Sequence, residues 1–278
     1  RVLPVRLEGT KYPSGGKIEL LILRSIGVHQ WEVLLKGKVR VGQRIRLEAD
    51  AWATVEERSQ DRTVITIESS QPWTEFLEQV GQMPLPPYIN REPTPEDRHD
   101  YQTMFARSEG AIAAPTAGLH FTSQLLDALT VRDIQVKKVT LHVGPGTFRP
   151  VTATHIHDHR MEPEWFEVSE ETATAIADVK QRGGRVVAVG TTVTRSLESA
   201  VDEGGHVSAQ QGETNLFVTP GFKFRVVDAL MTNFHLPGTT LLMLLSAFAG
   251  LEQSRVAYEH AVKERYRFYS YGDAMLIQ

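Results

Sequence analysis

Ten histidines and no cysteine set the terms of any chemistry this 278-residue chain can carry. Thiolate nucleophiles, disulfide scaffolds and cysteine-ligated metals are excluded, so proton transfer near pH 7 falls to imidazoles, with carboxylates in support. The first candidate is the run from Gly110 to Thr122, which contains Pro115-Thr116-Ala117-Gly118-Leu119-His120-Phe121. Its small residues let backbone amides approach a ligand, Thr122 or Ser123 can cap a following helix, and His120 can serve as general acid or base. Spacing alone allows a tight structural turn with a packed histidine equally well. A second run, Leu141-His142-Val143-Gly144-Pro145-Gly146-Thr147-Phe148-Arg149, carries a strand into a glycine turn and then to an arginine that can clamp an anion.

A third run, Arg185 to Glu198, places Gly190-Thr191-Thr192 between a short apolar strand and a helix that includes Arg195. Free amides at a helix start beside two hydroxyls suit a carboxylate, phosphate or ribose. The glycines of a dinucleotide fingerprint and the lysine of a phosphate loop are both missing. In Thr232-Asn233-Phe234-His235-Leu236-Pro237, the Asn233 amide offers donor and acceptor together, as a reader of a base or ribose requires, and His235 adds a second imidazole. Near the end, Tyr266-Arg267-Phe268-Tyr269-Ser270-Tyr271-Gly272-Asp273 interleaves aromatics with charge. Those rings can stack on a nucleobase or pack a core, and the pattern favours the core. His155-Ile156-His157-Asp158-His159 has the look of a metal cluster, but its i, i+2, i+4 spacing shares a face only on a strand, and no metal is expected.

Two kinds of element must position these groups. Residues 1–70 alternate in the strand manner at Lys17–Leu23, Gln43–Glu48 and Arg62–Glu68, separated by glycine-bearing turns, which predicts a small antiparallel barrel or sandwich with Trp31 and Trp52 in its core, a base-stacking surface being the alternative for one of them. A proline-dense segment from Gly81 to Pro95 reads as the domain connection. Beyond residue 100, helical periodicity at Thr122–Leu129, Glu170–Lys180 and Gln253–Tyr266 alternates with strand candidates at Val136–Val143, Arg185–Val189 and Val226–Met231. The expectation is an α/β fold, a mixed-sheet α/β domain over residues 81–278 with a small antiparallel β-barrel over residues 1–80.

Charge narrows the partners only locally. The net charge is −4, yet residues 1–70 carry 12 Lys and Arg against 9 Asp and Glu, and 21 of the chain's 30 basic residues are the fork-shaped Arg. The longest apolar run, around Leu241–Leu245, is shorter than the roughly 20 residues of a membrane span. With no export leader visible, the expectation is a cytoplasmic protein without a membrane partner, working as a monomer.

Taken together, the strings Met83–Ile89, Ala113–Phe121, Gly190–Glu198, Thr232–Pro237 and Tyr266–Met275 resemble the S-adenosylmethionine:tRNA ribosyltransferase-isomerases of queuosine synthesis, in order and over essentially the whole chain. The resemblance implies an α/β domain plus a barrel, with a further N-terminal segment of the α/β domain standing ahead of Arg1 in the family. It implies S-adenosylmethionine as a ribosyl donor, with no metal. The acceptor would be tRNA bearing an aminomethyl-deazaguanine at the wobble position, and epoxyqueuosine-tRNA, adenine and methionine the products. His120, His235 and Asp273 become the expected catalytic groups. Thr116, Gly118, Phe121, Gly144, Gly146, Thr147, Arg149, Gly190, Thr191, Thr192, Arg195, Asn233, Arg267 and Tyr271 become the expected substrate contacts. Two positions depart from the family's pattern. Glu162 stands where a histidine is common, so no role of that imidazole carries over, and Thr219 stands where a tyrosine is usual. The rival expectations are an S-adenosylmethionine-dependent RNA methyltransferase, suggested by the turn at Gly190, and a non-catalytic RNA-binding module built on the barrel.

Overall fold

The computed structural model describes residues 1–59, 62–144, 146 and 155–278, and divides the chain into two compact units, Val2–Tyr101 and Gln102–Gln278 with Arg1. In the first unit, six strands close into an antiparallel barrel: β1 (Arg6–Lys11), β2 (Lys17–Gly27), β3 (Gln30–Lys36), β4 (Arg44–Leu47), β5 (Trp52–Arg58) and β6 (Thr63–Glu68), ordered β1-β2-β3-β6-β5-β4. Period-two alternation sends Leu7, Ile18, Leu20, Ile22, Ile45, Leu47, Val55, Ile65 and Ile67 inward, where all are buried. Gly9 has to be glycine where β1 crosses β4, because a Cβ there would lie 2.6 Å from Ile45 Cγ2.

The expected tryptophan core is corrected by this packing. The barrel interior is filled by aliphatic side chains, and both tryptophans remain partly exposed outside it. Trp31 stacks on Trp73 of α1 (Trp73–Val80) with centroids 4.0 Å apart, and Trp52 lies under the Arg44 guanidinium, 4.4 Å away. A six-stranded barrel has no room inside for an indole once its layers are filled by Ile, Leu and Val. The unit boundary also falls later than residue 80. The proline-dense segment packs with the barrel: Gln82 exchanges backbone hydrogen bonds with Arg6, and Arg98 donates to the Gly81 carbonyl at 2.7 Å. It carries a short helix, α2 (Asp97–Asp100), steadied by the Arg91–Asp97 ion pair at 2.6 Å.

The second unit contains two three-stranded sheets. One is antiparallel, β10-β8-β7, formed by β7 (Val139–His142), β8 (Glu164–Val168) and β10 (Gln210–Thr214). The other, β12-β11-β9, pairs β9 (Val187–Val189) parallel to β11 (Ala229–Asn233), with β12 (Ala274–Ile277) antiparallel on the far side of β11. Helices α3 (Ser123–Thr130), α4 (Glu170–Gln181), α5 (Thr191–Ser199), α6 (Thr240–Ala249) and α7 (Leu251–Lys263) complete the unit. A single core joins Phe166 and Val168 of β8, Ala173 and Ile176 of α4, Leu197 of α5, Leu230 of β11 and Leu244 of α6. Thr122, Ser169 and Thr239 cap α3, α4 and α6 by accepting from amides three residues on. No helix among the described residues is long and apolar enough to cross a membrane.

Candidate active site

The mixed sheet brings the chemistry-bearing strings together at the carboxyl ends of its parallel strands, the usual ligand position in open α/β sheets. β9 ends at Gly190, whose amide continues the ladder by donating to Met231 of β11 at 2.8 Å. Its φ of 100° and ψ of 148° lie in a region essentially closed to residues with a Cβ, which turns the strand directly into α5. No side chain caps that helix start. Above Gly190 sits the 3₁₀ turn Thr116–His120, close enough that a Cβ on Gly190 would lie 3.6 Å from that of Ala117.

β11 ends at Asn233, which is 2% exposed and hydrogen-bonded at both ends of its side-chain amide. Its Oδ1 accepts from the Thr116 hydroxyl at 3.0 Å, and its Nδ2 lies 3.1 Å from Nε2 of His120. The Asn233 amide therefore holds His120, a geometry different from that of an exposed base reader. The His120 ring is partly exposed. Partial burial pushes its pKa down, nearby Asp273 pulls it up and Arg267 pushes it down.

Asp273 precedes β12, whose first residue pairs with Asn233. Its carboxylate accepts from the Arg267 amide at 2.7 Å and from the Arg267 guanidinium at 2.8 Å, and these contacts hold it below the usual carboxylate range. The loop between them is tight: a Cβ on Gly272 would fall 2.4 Å from the carbonyl oxygens of Arg267 and Phe268. Of the aromatics beside it, Phe268 packs against Phe234 at 5.0 Å and Tyr258 at 5.8 Å, as a core would, whereas Tyr266 and Tyr271 keep substantial exposure.

His235 occupies a different environment. Its Nε2 is 2.9 Å from the Thr232 hydroxyl, and its backbone amide donates to the Tyr258 hydroxyl at 2.8 Å. Removal from water pushes its pKa down to about 4, so the ring is neutral at physiological pH. Sequence reasoning passed over both partners. Thr232 headed the Thr232–Pro237 string with no role assigned, and nothing in the spacing pairs Tyr258 with a residue on another element.

Helix α5 carries Thr191 and Arg195, both 5% exposed, and the partly buried Thr192. The Arg195 guanidinium forms an ion pair with Glu164 of β8, and its Nε donates to the Leu216 carbonyl at 2.9 Å. Its NH2 nitrogen is buried and finds no partner among the described residues. The other oxygen of Glu164 accepts from the Gly144 amide at 2.9 Å, tying the β7 exit loop to α5. Glu164, two residues beyond Glu162, was not among the expected site residues. Glu198, also missed, accepts from the amides of Arg225, Val226 and Val227 at 2.9–3.0 Å and so fastens α5 to the lead-in of β11.

The remaining expected contacts are more dispersed. Gly118 packs against Thr103, where a Cβ would approach to 3.0 Å, and Phe121 lies 5.9 Å from Phe105. Gly146 is exposed, while Thr147 and Arg149 lie outside the described residues. His159 of the histidine string packs edge-on to Phe217 at 5.2 Å.

Comparison with known proteins supplies a family. A family model described as queuosine biosynthesis protein matches residues 1–277. A protein of Trichlorobacter lovleyi named S-adenosylmethionine:tRNA ribosyltransferase-isomerase is 50% identical over 280 residues, covering all of this chain and 82% of its own length. One of the same name from Xylella fastidiosa is 51% identical over 279 residues, covering all of this chain and 80% of its own. Among solved structures, an S-adenosylmethionine tRNA ribosyltransferase from Thermotoga maritima matches at 32% identity and a TM-score of 0.49, over all of this chain and 79% of that one.

Proposed function

This chain belongs to the queuosine biosynthesis protein family, and from that premise we propose that it transfers and isomerises the ribosyl part of S-adenosylmethionine. The acceptor is an aminomethyl-deazaguanine at the wobble position of tRNA. The products are epoxyqueuosine-tRNA, adenine and methionine, and the reaction takes place in the cytoplasm. One observation carries the reading: the Thr116–His120 turn, Gly190 and the α5 start, Asn233 and the Arg267–Asp273 pair come together around the ends of β9 and β11.

The reaction asks first for a base. A proton must leave the methylene beside the sulfonium, where the positive sulfur stabilises the developing carbanion. It asks next for an acid as adenine departs. His120 is the better placed of the two histidines, being partly exposed beside Asp273, which opposes the downward push of burial on its pKa, whereas that of His235 is pushed down to about 4. His235, neutral and bonded to Thr232, shapes the site beside it. Asp273, held anionic by Arg267, supports positive charge on His120 and is a poor proton donor itself. The uncapped amides at Thr191 and Thr192 suit ribose hydroxyls, and the unpaired NH2 of Arg195 suits the amino-acid carboxylate. Proton transfer of this kind needs no metal.

Product analysis tests the reading. Incubation with S-adenosylmethionine and tRNA carrying the precursor base is expected to release adenine and methionine in equal amounts. Appearance of S-adenosylhomocysteine would instead establish methyl transfer. Tight tRNA binding without any consumption of S-adenosylmethionine would reduce the protein to a binding module.

A further inference from the structure

We propose that Asn233 is a positioning residue that selects the working nitrogen of His120. Its amide occupies Nε2, leaves Nδ1 to exchange protons with substrate, and is itself held by the Thr116 hydroxyl. This deepens the assignment of His120 as the proton carrier and rests on it.

The argument begins with burial. Asn233 ends the central strand of its sheet, paired to Ala274 on one side, and is almost wholly removed from water. A buried amide must keep its donors and acceptor satisfied. Here Oδ1 takes the Thr116 hydroxyl proton at 3.0 Å, and Nδ2 reaches His120 Nε2 at 3.1 Å. In that sense the amide N–H points at a lone pair, so Nε2 is bare and Nδ1 carries the imidazole proton.

Turning the amide over gives a second sense that keeps both contacts. A half-turn of the amide puts Oδ1 against His120, where it accepts from a protonated Nε2, and turns Nδ2 toward Thr116. The hydroxyl can follow, because it donates or accepts by rotating its proton. Nδ1 is then a bare nitrogen, able to take a proton. The imidazolium, with a proton on each nitrogen, fits this second sense as well. The first sense therefore presents an N–H at Nδ1, and the second presents a base. Working from the second sense, Nδ1 takes the methylene proton, the ring becomes the imidazolium that this sense also fits, and Nδ1 then gives a proton to the departing adenine. The proton taken by Nδ1 from the methylene is the proton available for the leaving base, so the balance closes within His120.

Three substitutions test this, read by adenine release against pH and by nitrogen NMR of the His120 ring in the intact protein. The unmodified protein without substrate is expected to show a bare Nε2. Asn233→Asp places a carboxylate against Nε2, so that nitrogen is expected to be protonated and the pH–rate limb of His120 to move up by about one unit or more. Thr116→Val removes the hydroxyl that holds the far end of the amide in either sense; mixed tautomers and about a tenfold to hundredfold lower kcat with little change in KM are expected, and Thr116→Ser should restore both. A ring whose tautomer and pH profile are unmoved in Asn233→Asp would overturn the proposal, as would full kcat in Thr116→Val. If His120→Ala keeps full turnover, the proton-carrier assignment fails instead; the tautomer measurement judges the coupling to Asn233 and Thr116 separately.

Discussion

The two histidines of the site are both partly buried, and what separates them is their hydrogen-bond partners and how far burial lowers the pKa. His120 is steadied through its Nε2 by Asn233, whereas His235 is bonded to Thr232 and has its pKa pushed down to about 4. Replacing His120 by Ala is expected to lower the rate of adenine release by at least about a hundredfold with the fold intact, the lower end of what general acid–base catalysis contributes. For His235 the consequence is one of stability. The unfolded chain binds a proton near pH 6.5 and the folded chain only near 4, so stability falls as pH drops through this window. At full effect this term is about 3 kcal/mol. Denaturant melts at pH 7 and pH 4.5 should show that loss in the unmodified protein and a clearly smaller one in His235→Gln. An equal loss in both would remove the explanation. At this scale the sequence revealed the residue types but little of their engagement. Asn233 was legible as a donor and acceptor, yet its partners Thr116 and His120 lie more than a hundred residues earlier, and no periodicity reports such a contact. Glu198 stood at the end of the Gly190–Glu198 string with no role assigned, because nothing local announces the three amides it meets.

Among the elements, α5 is the one whose placement matters most to the site. It begins at a backbone conformation only glycine tolerates and is anchored near its other end by Glu198. Gly190→Ala is expected to cost about 1–3 kcal/mol through backbone strain alone and to lower activity by disturbing the join between β9 and the Thr116–His120 turn. Glu198→Ala should cost about 3 kcal/mol or more, since the buried amides of Val226 and Val227 lose their acceptor; thermal melts would check both. A Glu198→Ala protein as stable as its parent would contradict the anchoring role. Helices α3 and α4 were readable because a cap residue and an apolar stripe coincide. By contrast, α6 is apolar almost all round, so no stripe stood out, and its Leu241–Leu245 run registered only as too short for a membrane. The short strands β8, β10 and β12 lacked the length for alternation to declare itself.

For the whole molecule, periodicity foretold two kinds of packing, and the chain folds as a six-stranded barrel and an α/β unit, each with its own core. The position of the division was less legible, since prolines announce a break in regular structure without saying which unit the irregular segment packs against. Only the α/β unit presents the constellation on which the proposed chemistry depends, and the tRNA and S-adenosylmethionine must both be present for that chemistry to be seen. Its first step can be watched directly by supplying S-adenosylmethionine with both methylene hydrogens beside the sulfur replaced by deuterium. Mass analysis of the modified nucleoside should find one deuterium lost per turnover in the unmodified protein and no product in His120→Ala. A product that retains both deuterons, or unchanged turnover in His120→Ala, would contradict the account.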